Sequence, residues 1–333
     1  MLAQIVLIAL MVALVVILHQ RLYTLPPHPK KTDTFSQYEE FSLGNQVSKS
    51  DIPKTIWTFW DDCPPEMIMG FIKTWIDRNP DHRVVVLTRK NYTKYIPPIS
   101  AHTELNTPER FSDVLRLKVL EAHGGIWMDV GIFCTASLSW VHTAQANTDV
   151  EMIAYRIPDM TTLPKYPVVD NWFIACKPDS KLIREWSAEL NRALSAPSIA
   201  EYIKTIQDSG VNLQSVNNPV VLWSCAAFQK VLQSSVNDTY KYRTFDAAMG
   251  PYLYLEQNNG NSTKALEALT KGGFDQPLIR LRATERNVLI ADNEFTKKLF
   301  AAFGVTDYMV VKESNICQLK DSDKSIILNV ASE

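Results

Sequence analysis

Asp113, Arg116, Asp129, Asp170 and Asn171 are the residues of this sequence whose types and spacing could do chemistry. Carboxylates and amides accept hydrogen bonds from ligand hydroxyls, carboxylates hold divalent cations, and a guanidinium grips two phosphate oxygens at once. Asp129 directly follows the apolar run Ile126-Trp127-Met128, and Gly131 allows another group to approach the chain closely. A carboxylate at the carboxyl end of a buried strand is where open α/β sheets hold their ligands. Strand–Asp–turn is also an ordinary turn cap, and spacing alone leaves the two readings level. Asp170-Asn171 opens a second apolar run that reaches Cys176. Its rival reading is a buried Asx turn.

Local signals define the elements that must position these groups. Thr107 can N-cap a helix, Pro108 suits its first position, and Glu109 favours the positive end of its dipole. Phe111, Val114, Leu115, Val119 and Ala122 recur at helical spacing, and Gly124-Gly125 supply a left-handed stop. Upstream, residues 52–60 read as a first strand, 64–79 as a helix and 83–87 as a second strand, a β-α-β opening. Residues 91–96 read as a short helix broken by Pro97-Pro98, and 152–155 as a strand. Residues 157–169 carry Pro158, Pro164 and Pro167 and read as a site loop. A helix is expected from about Lys181, another from Asn218-Pro219 through Val231, and a late strand across 276–281. No G-x-G-x-x-G or Walker loop occurs, so dinucleotide and P-loop chemistries lose their main support.

The stretch from Ser112 to Asp129 resembles the core of the family 32 sugar transferases and of the capsular polysaccharide synthesis proteins. In those families a helix with S-D-x-x-R runs into Gly-Gly-Ile-(Trp/Tyr)-x-Asp. Here the matching residues are Ser112, Asp113, Arg116, Gly124, Gly125, Ile126, Trp127 and Asp129. Ile52-Pro53-Lys54-Thr55-Ile56-Trp57-Thr58-Phe59-Trp60 resembles their opening strand. The resemblance implies an α/β, GT-A-type nucleotide-sugar-binding mixed sheet flanked by helices. It implies donor contacts from Trp57, Trp60, Asp113, Arg116, Gly125, Asp129 and Arg280, with Arg282 an alternative to Arg280. For either tryptophan the plain alternative is core packing. Catalytic roles would fall to Asp129, Asp170 and Asn171, and retention of anomeric configuration is implied. Many members read Asp-x-Asp, whereas this chain reads Asp129-Val130-Gly131. Manganese or magnesium is implied as cofactor, with Asp129 as its ligand. At Gly131 the second ligand has no side chain, so Asp170 could complete the site, basic residues could replace the ion, or catalysis could be lost.

At 333 residues the chain accommodates one large α/β domain. Lys+Arg number 34 against 36 Asp+Glu, and this balance with no basic run argues against a nucleic-acid partner. Cys63, Cys134, Cys176, Cys225 and Cys317 form no CxxC pair, which argues against a zinc ribbon or thioredoxin-like site. Cys134 and Cys176 read as small buried residues. Residues 2–18 are uncharged and apolar, and residues 1–20 read as a signal-anchor transmembrane helix. Residues 21–50 read as a flexible stem, and 51–333 as the transferase body. Arg21, Lys30 and Lys31 follow the apolar run, which by the positive-inside rule favours a cytosolic body. Sequons at Asn91, Asn237 and Asn261, together with the resemblance, favour a Golgi-lumen body, which we expect. The leading expectation is a membrane-anchored glycosyltransferase acting on a glycan, polysaccharide or glycoprotein acceptor. A degenerate nucleotide- or glycan-binding relative is the second reading. A glycoside hydrolase using Asp129 with Asp170 is the third.

Overall fold

A computed structural model describes residues 38–42, 51–62, 64–234, 240–305 and 327–328. Its centre is an eight-stranded mixed sheet. In chain order the strands are β1 (Tyr38–Ser42), β2 (Thr55–Phe59), β3 (Arg83–Leu87), β4 (Gly125–Met128), β5 (Ile132–Cys134), β6 (Met152–Arg156), β7 (Val169–Cys176), β8 (Lys241–Asp246), β9 (Leu278–Arg280) and β10 (Ile327–Leu328). The main sheet runs β1-β8-β6-β7-β4-β2-β3-β10, and β5 pairs with β9 in a separate two-stranded ribbon. β2, β3 and β4 are parallel, β7 lies antiparallel between β4 and β6, and β8 runs parallel to β6. The carboxyl ends of β2, β4, β6 and β8 therefore lie at the end of the sheet where β7 begins.

The helices are α1 (Glu66–Arg78), α2 (Pro108–His123), α3 (Ser139–Gln145), α4 (Lys181–Ser195), α5 (Ile199–Asp208), α6 (Trp223–Ser234), α7 (Leu253–Glu256), α8 (Ser262–Leu269), α9 (Ala283–Ala291) and α10 (Asn293–Ala302). One apolar cluster joins Trp57 and Trp127 on one sheet face to α2, α4, α5 and α6. A second joins Ile56, Ile126 and Met128 on the other face to α1 and α10. Central strands covered on both faces are apolar throughout, and this is why β4 shows no polar alternation.

Thr107 caps α2, its hydroxyl accepting from Arg110 N, as the sequence predicts. Gly124 and Gly125 take φ of 61° and 99°, and space makes the same demand. A Cβ on Gly124 would stand 2.6 Å from Pro178 N, and one on Gly125 2.7 Å from Thr55 O. The expected helix at 91–96 is a single 3-10 turn, Tyr92–Lys94. The helix expected from Asn218 begins at Trp223 instead. Asn218 takes φ 48°, and its carbonyl accepts from Val221 N and Leu222 N in a turn that comes first.

Three expectations outside the site are affected. The stem read over 21–50 contains β1, an edge strand paired along its length with β8. Asn91 is buried, its amide donating to Val86 O and accepting from Thr88 N, so that sequon is closed in the folded chain. Among the described residues no helix is long and apolar enough to cross a membrane, and the apolar run at 2–18 lies outside them. Asn237 also lies outside the described residues. Cys134, Cys176 and Cys225 are buried free thiols, and burial pushes each well above the ordinary thiol range.

Candidate active site

Asp129 leaves β4 at the ligand-bearing end of the sheet, its backbone N–H bonded to Trp172 O at 2.9 Å. One carboxylate oxygen, Oδ1, accepts from Trp127 Nε1 at 2.9 Å and from Arg116 Nη1 at 3.0 Å. Trp127 and Asp129 share a side of the chain because alternate residues of an extended segment do. Oδ2 lies 3.5 Å from Arg280 Nη2.

Arg116 is buried beneath Asp129, with its guanidinium 5.1 Å from the Trp127 ring centre. Nε donates to Ser112 O, Nη2 to Ser112 Oγ, and Nη1 to Asn171 O at 2.5 Å as well as to Asp129. Asp113 pairs with Arg116 Nη2 at 3.2 Å, one turn away on α2. The two carboxylate oxygens of Asp113 also accept from Asn171 Nδ2 at 2.8 Å and Trp223 Nε1 at 2.7 Å. Burial pushes the Asp113 carboxyl above its ordinary range, while Arg116, Trp223 and Asn171 pull it back down. Asp113 thus holds Arg116 and Asn171 in place.

A bulge brings Asn171 into this cluster. Ala154 pairs with Ile174 but the next β6 residue, Tyr155, pairs with Asp170, so residues 171–173 are extra on β7. Such an insertion breaks the alternation of faces. Asn171 then turns to α2, while Trp172 packs with the apolar cluster on the opposite face. Asp170 and Asn171 are the two partly exposed residues of β7. Burial pushes the Asp170 carboxyl up to about 6; Arg280 opposes this and the Asp129 charge adds to it.

On the other side, Arg280 ends β9, which pairs with β5 so that Ile132 faces Arg280. Its Nη1 donates to Val130 O at 3.1 Å and Leu281 O at 2.7 Å, and its buried Nε has no partner. Arg286, on α9, sends Nη1 to the same Leu281 O at 2.8 Å.

The structure therefore gathers Asp113, Arg116, Asp129, Asp170, Asn171 and Arg280. Trp60 leaves β2 at the same end, half-buried. Trp57 does not join them. It is 4% exposed, donates through Nε1 to Gly124 O, and packs edge-on against Tyr95 and tilted against His123. The expected base contact gives way to core packing. Gly125 likewise stands at the amino end of β4, one strand length from Asp129, where its role is close packing against β2. Arg282 turns away to Glu285. Sequence reasoning placed Trp127 in the strand and the motif but gave it no site role, and it missed Trp223 and Arg286. The i, i+2 spacing of Trp127 and Asp129 was a usable signal for the first, but the other two depend on long-range packing.

The fit to a divalent cation is poor. A hard cation requires several oxygen ligands, yet Oδ1 of Asp129 is engaged and Oδ2 faces a guanidinium. Among the described residues no three His, Cys, Asp or Glu side chains gather as a ligand set.

A family model described as capsular polysaccharide synthesis protein matches residues 29–197, just over half the chain. The chain is 26% identical over 238 residues to glycosyltransferase afumC of Aspergillus fumigatus, covering 66% of this chain and 56% of that protein. It is 25% identical over 189 residues to O-glycosyltransferase braB of Annulohypoxylon truncatum, covering 51% and 41%. The chain thus spans about half the length of the curated relatives it matches. Among solved structures, the galactosyltransferase LgtC with donor and acceptor sugar analogues aligns with a TM-score of 0.40 at 10% identity, over 74% of this chain and 95% of that one. The PaToxG glycosyltransferase aligns with a TM-score of 0.35 at 15% identity, over 76% and 87%.

Proposed function

The chain belongs to the capsular polysaccharide synthesis protein family, and on that footing we propose that it is a glycosyltransferase using a nucleotide-diphosphate sugar. The observation that carries this reading is Asp129 at the exit of β4, held between Arg116 and Arg280. Negative charge beside a sugar and positive charge beside a diphosphate are what such a transfer requires. The bond from sugar C1 to the phosphate oxygen breaks with its electron pair on the diphosphate. A new bond forms from C1 to the acceptor oxygen, and the acceptor proton leaves for a diphosphate oxygen. Asp129, Asn171 and Asp170 are the groups we assign to the sugar side, and Arg280 to the diphosphate. Trp60 is assigned to the base.

The same reading includes a GT-A-type donor site, a glycan, polysaccharide or glycoprotein acceptor, and retention of configuration, all supported by the sequence resemblance. Tethering through residues 2–18 and a secretory-pathway lumen are supported by that apolar run and by the exposed sequon at Asn261. The relatives named as O-glycosyltransferases support transfer to a hydroxyl acceptor. Gly131 favours one other reading, a relative that binds nucleotide without turnover. The deciding experiment incubates the full chain with a panel of nucleotide sugars and glycan acceptors and records nucleotide diphosphate release. We expect release from at least one donor, and its loss in Asp129→Asn. Tight donor binding with no release under any acceptor would move the assignment to the binding-only relative.

A further inference from the structure

The turn at residues 129–131 and the two arginines above it form one hydrogen-bonded unit. Leu281 N donates to Gly131 O at 2.8 Å, and Arg280 Nη1 donates to Val130 O. Arg280 and Arg286 both donate to Leu281 O, so their Nη1 atoms cannot be further apart than two hydrogen bonds laid end to end. Gly131 sits at φ 86° under this pair. A Cβ there would stand 2.9 Å from Arg286 Cδ and 3.2 Å from its Nη1. The space open to a side chain at the second motif position is thus occupied by a guanidinium.

This arrangement suits an anion and repels a dication. A cation beside Asp129 would face three guanidiniums, Arg116, Arg280 and Arg286, against two carboxylates, Asp129 and the partly exposed Asp170, the first of them already bonded to Arg116. Burial, then the Arg280 charge, pushes Arg286 below its ordinary range, with Asp129 and Glu285 opposing, so the two guanidiniums feel each other. Arg280 also keeps its buried Nε without a partner, on a side chain only 12% exposed. Such unspent donors match phosphate oxygens, which guanidinium groups take bidentately.

We propose that Arg280 and Arg286 bind the donor's diphosphate directly and carry the leaving-group charge that a divalent cation carries in Asp-x-Asp relatives, so that transfer by this chain is independent of metal. The inference rests on the transferase reading above. It assigns a role to Arg286, a residue outside every motif of the sequence.

The test is calorimetric binding of uridine diphosphate and guanosine diphosphate to the full chain, once with manganese and once with excess chelator. We expect at least one nucleotide to bind with the same affinity in both buffers. Arg286→Ala should bind it roughly 10–100-fold more weakly, as expected for loss of a charge-assisted phosphate contact. Arg286→Lys should fall between, since an ammonium keeps the charge without the fork. Should Arg286→Ala melt early, Arg286→Gln replaces it, removing the charge while keeping an N–H for Leu281 O. Binding that requires manganese, vanishes with chelator and is unchanged in Arg286→Ala would overturn the inference and leave the transferase intact. A folded chain that binds neither nucleotide in either buffer would overturn both.

Discussion

Asp129 has a basic region on each side, and the two are built differently. Toward α2, Arg116 is buried and every guanidinium nitrogen is bonded, to Ser112, Asp113, Asp129 or the Asn171 carbonyl. Toward α9, Arg280 reaches Asp129 only at 3.5 Å and keeps a buried Nε unpartnered, while Arg286 leans on one carbonyl. A saturated network fixes geometry and has nothing left for a ligand. An unsaturated one holds positive charge and donors ready for a group that arrives later. The contrast separates the residues that aim Asp129 from those we propose for the diphosphate.

The contrast breaks most sharply at Arg116. Arg116→Met removes the buried cation that pairs with the half-buried Asp113 and should cost about 3–5 kcal/mol of stability, read by urea unfolding. Unfolding at the wild-type urea concentration would mean that the α2 side is not a scaffold. Next is Trp223→Phe, which removes one N–H from Asp113 and should cost about 1–3 kcal/mol. Its effect on nucleotide binding should be small, unlike that of Arg286→Ala.

Asp170→Asn probes the join between the two sides and should change the sign of the effect. The Asp170 carboxyl titrates near 6 when folded and at its ordinary 3.8 when unfolded. The folded chain therefore holds the extra proton between those values, and stability falls as pH rises through that window. Above pH 6 the variant should be more stable than wild type by about 1–2 kcal/mol, a figure discounted for partial exposure, and equal to it near pH 4. Thermal melts at the two pH values check this. Loss of transfer in the same variant would show a site kept at the expense of stability.

The smallest effect belongs to a charged group at the opposite end of the sheet. His82 precedes β3, with Nδ1 2.8 Å from Asp81 Oδ1 and Nε2 3.0 Å from His142 Nε2. Burial, then the His82 charge, lowers the His142 pKa. The unfolded chain takes up that proton more readily, so stability should fall as pH drops below the ordinary histidine range, the reverse of Asp170. His142→Gln should flatten this loss in melts at pH 5 and 7 without touching nucleotide binding.

How far the sequence exposed all this depended on range. α2, the Gly-Gly stop and β4 were legible because cap, dipole and glycine signals act within a few residues. Asp113, Arg116 and Asp129 came with them, and Arg280 followed from its strand. The β7 bulge was not legible, since an insertion shows only against the partner strand. Trp57 was over-read for a related reason. A central strand is aromatic and β-branched along its whole length, and nothing local tells which end meets ligand. Trp223 and Arg286 arrive from 94 and 157 residues beyond Asp129, through packing that no local pattern encodes.

One consequence of β1 concerns how the protein is produced. Residues 38–42 cover the outer edge of β8 along its length. A shortened chain beginning at Asp51 would leave those N–H and C=O groups facing solvent, an open template for another molecule's strand. Such a chain should self-associate in size-exclusion chromatography, whereas one that keeps residues 38–42 but lacks the apolar run at 2–18 should not. Resistance to self-association would then rest partly on a strand that carries none of the site residues.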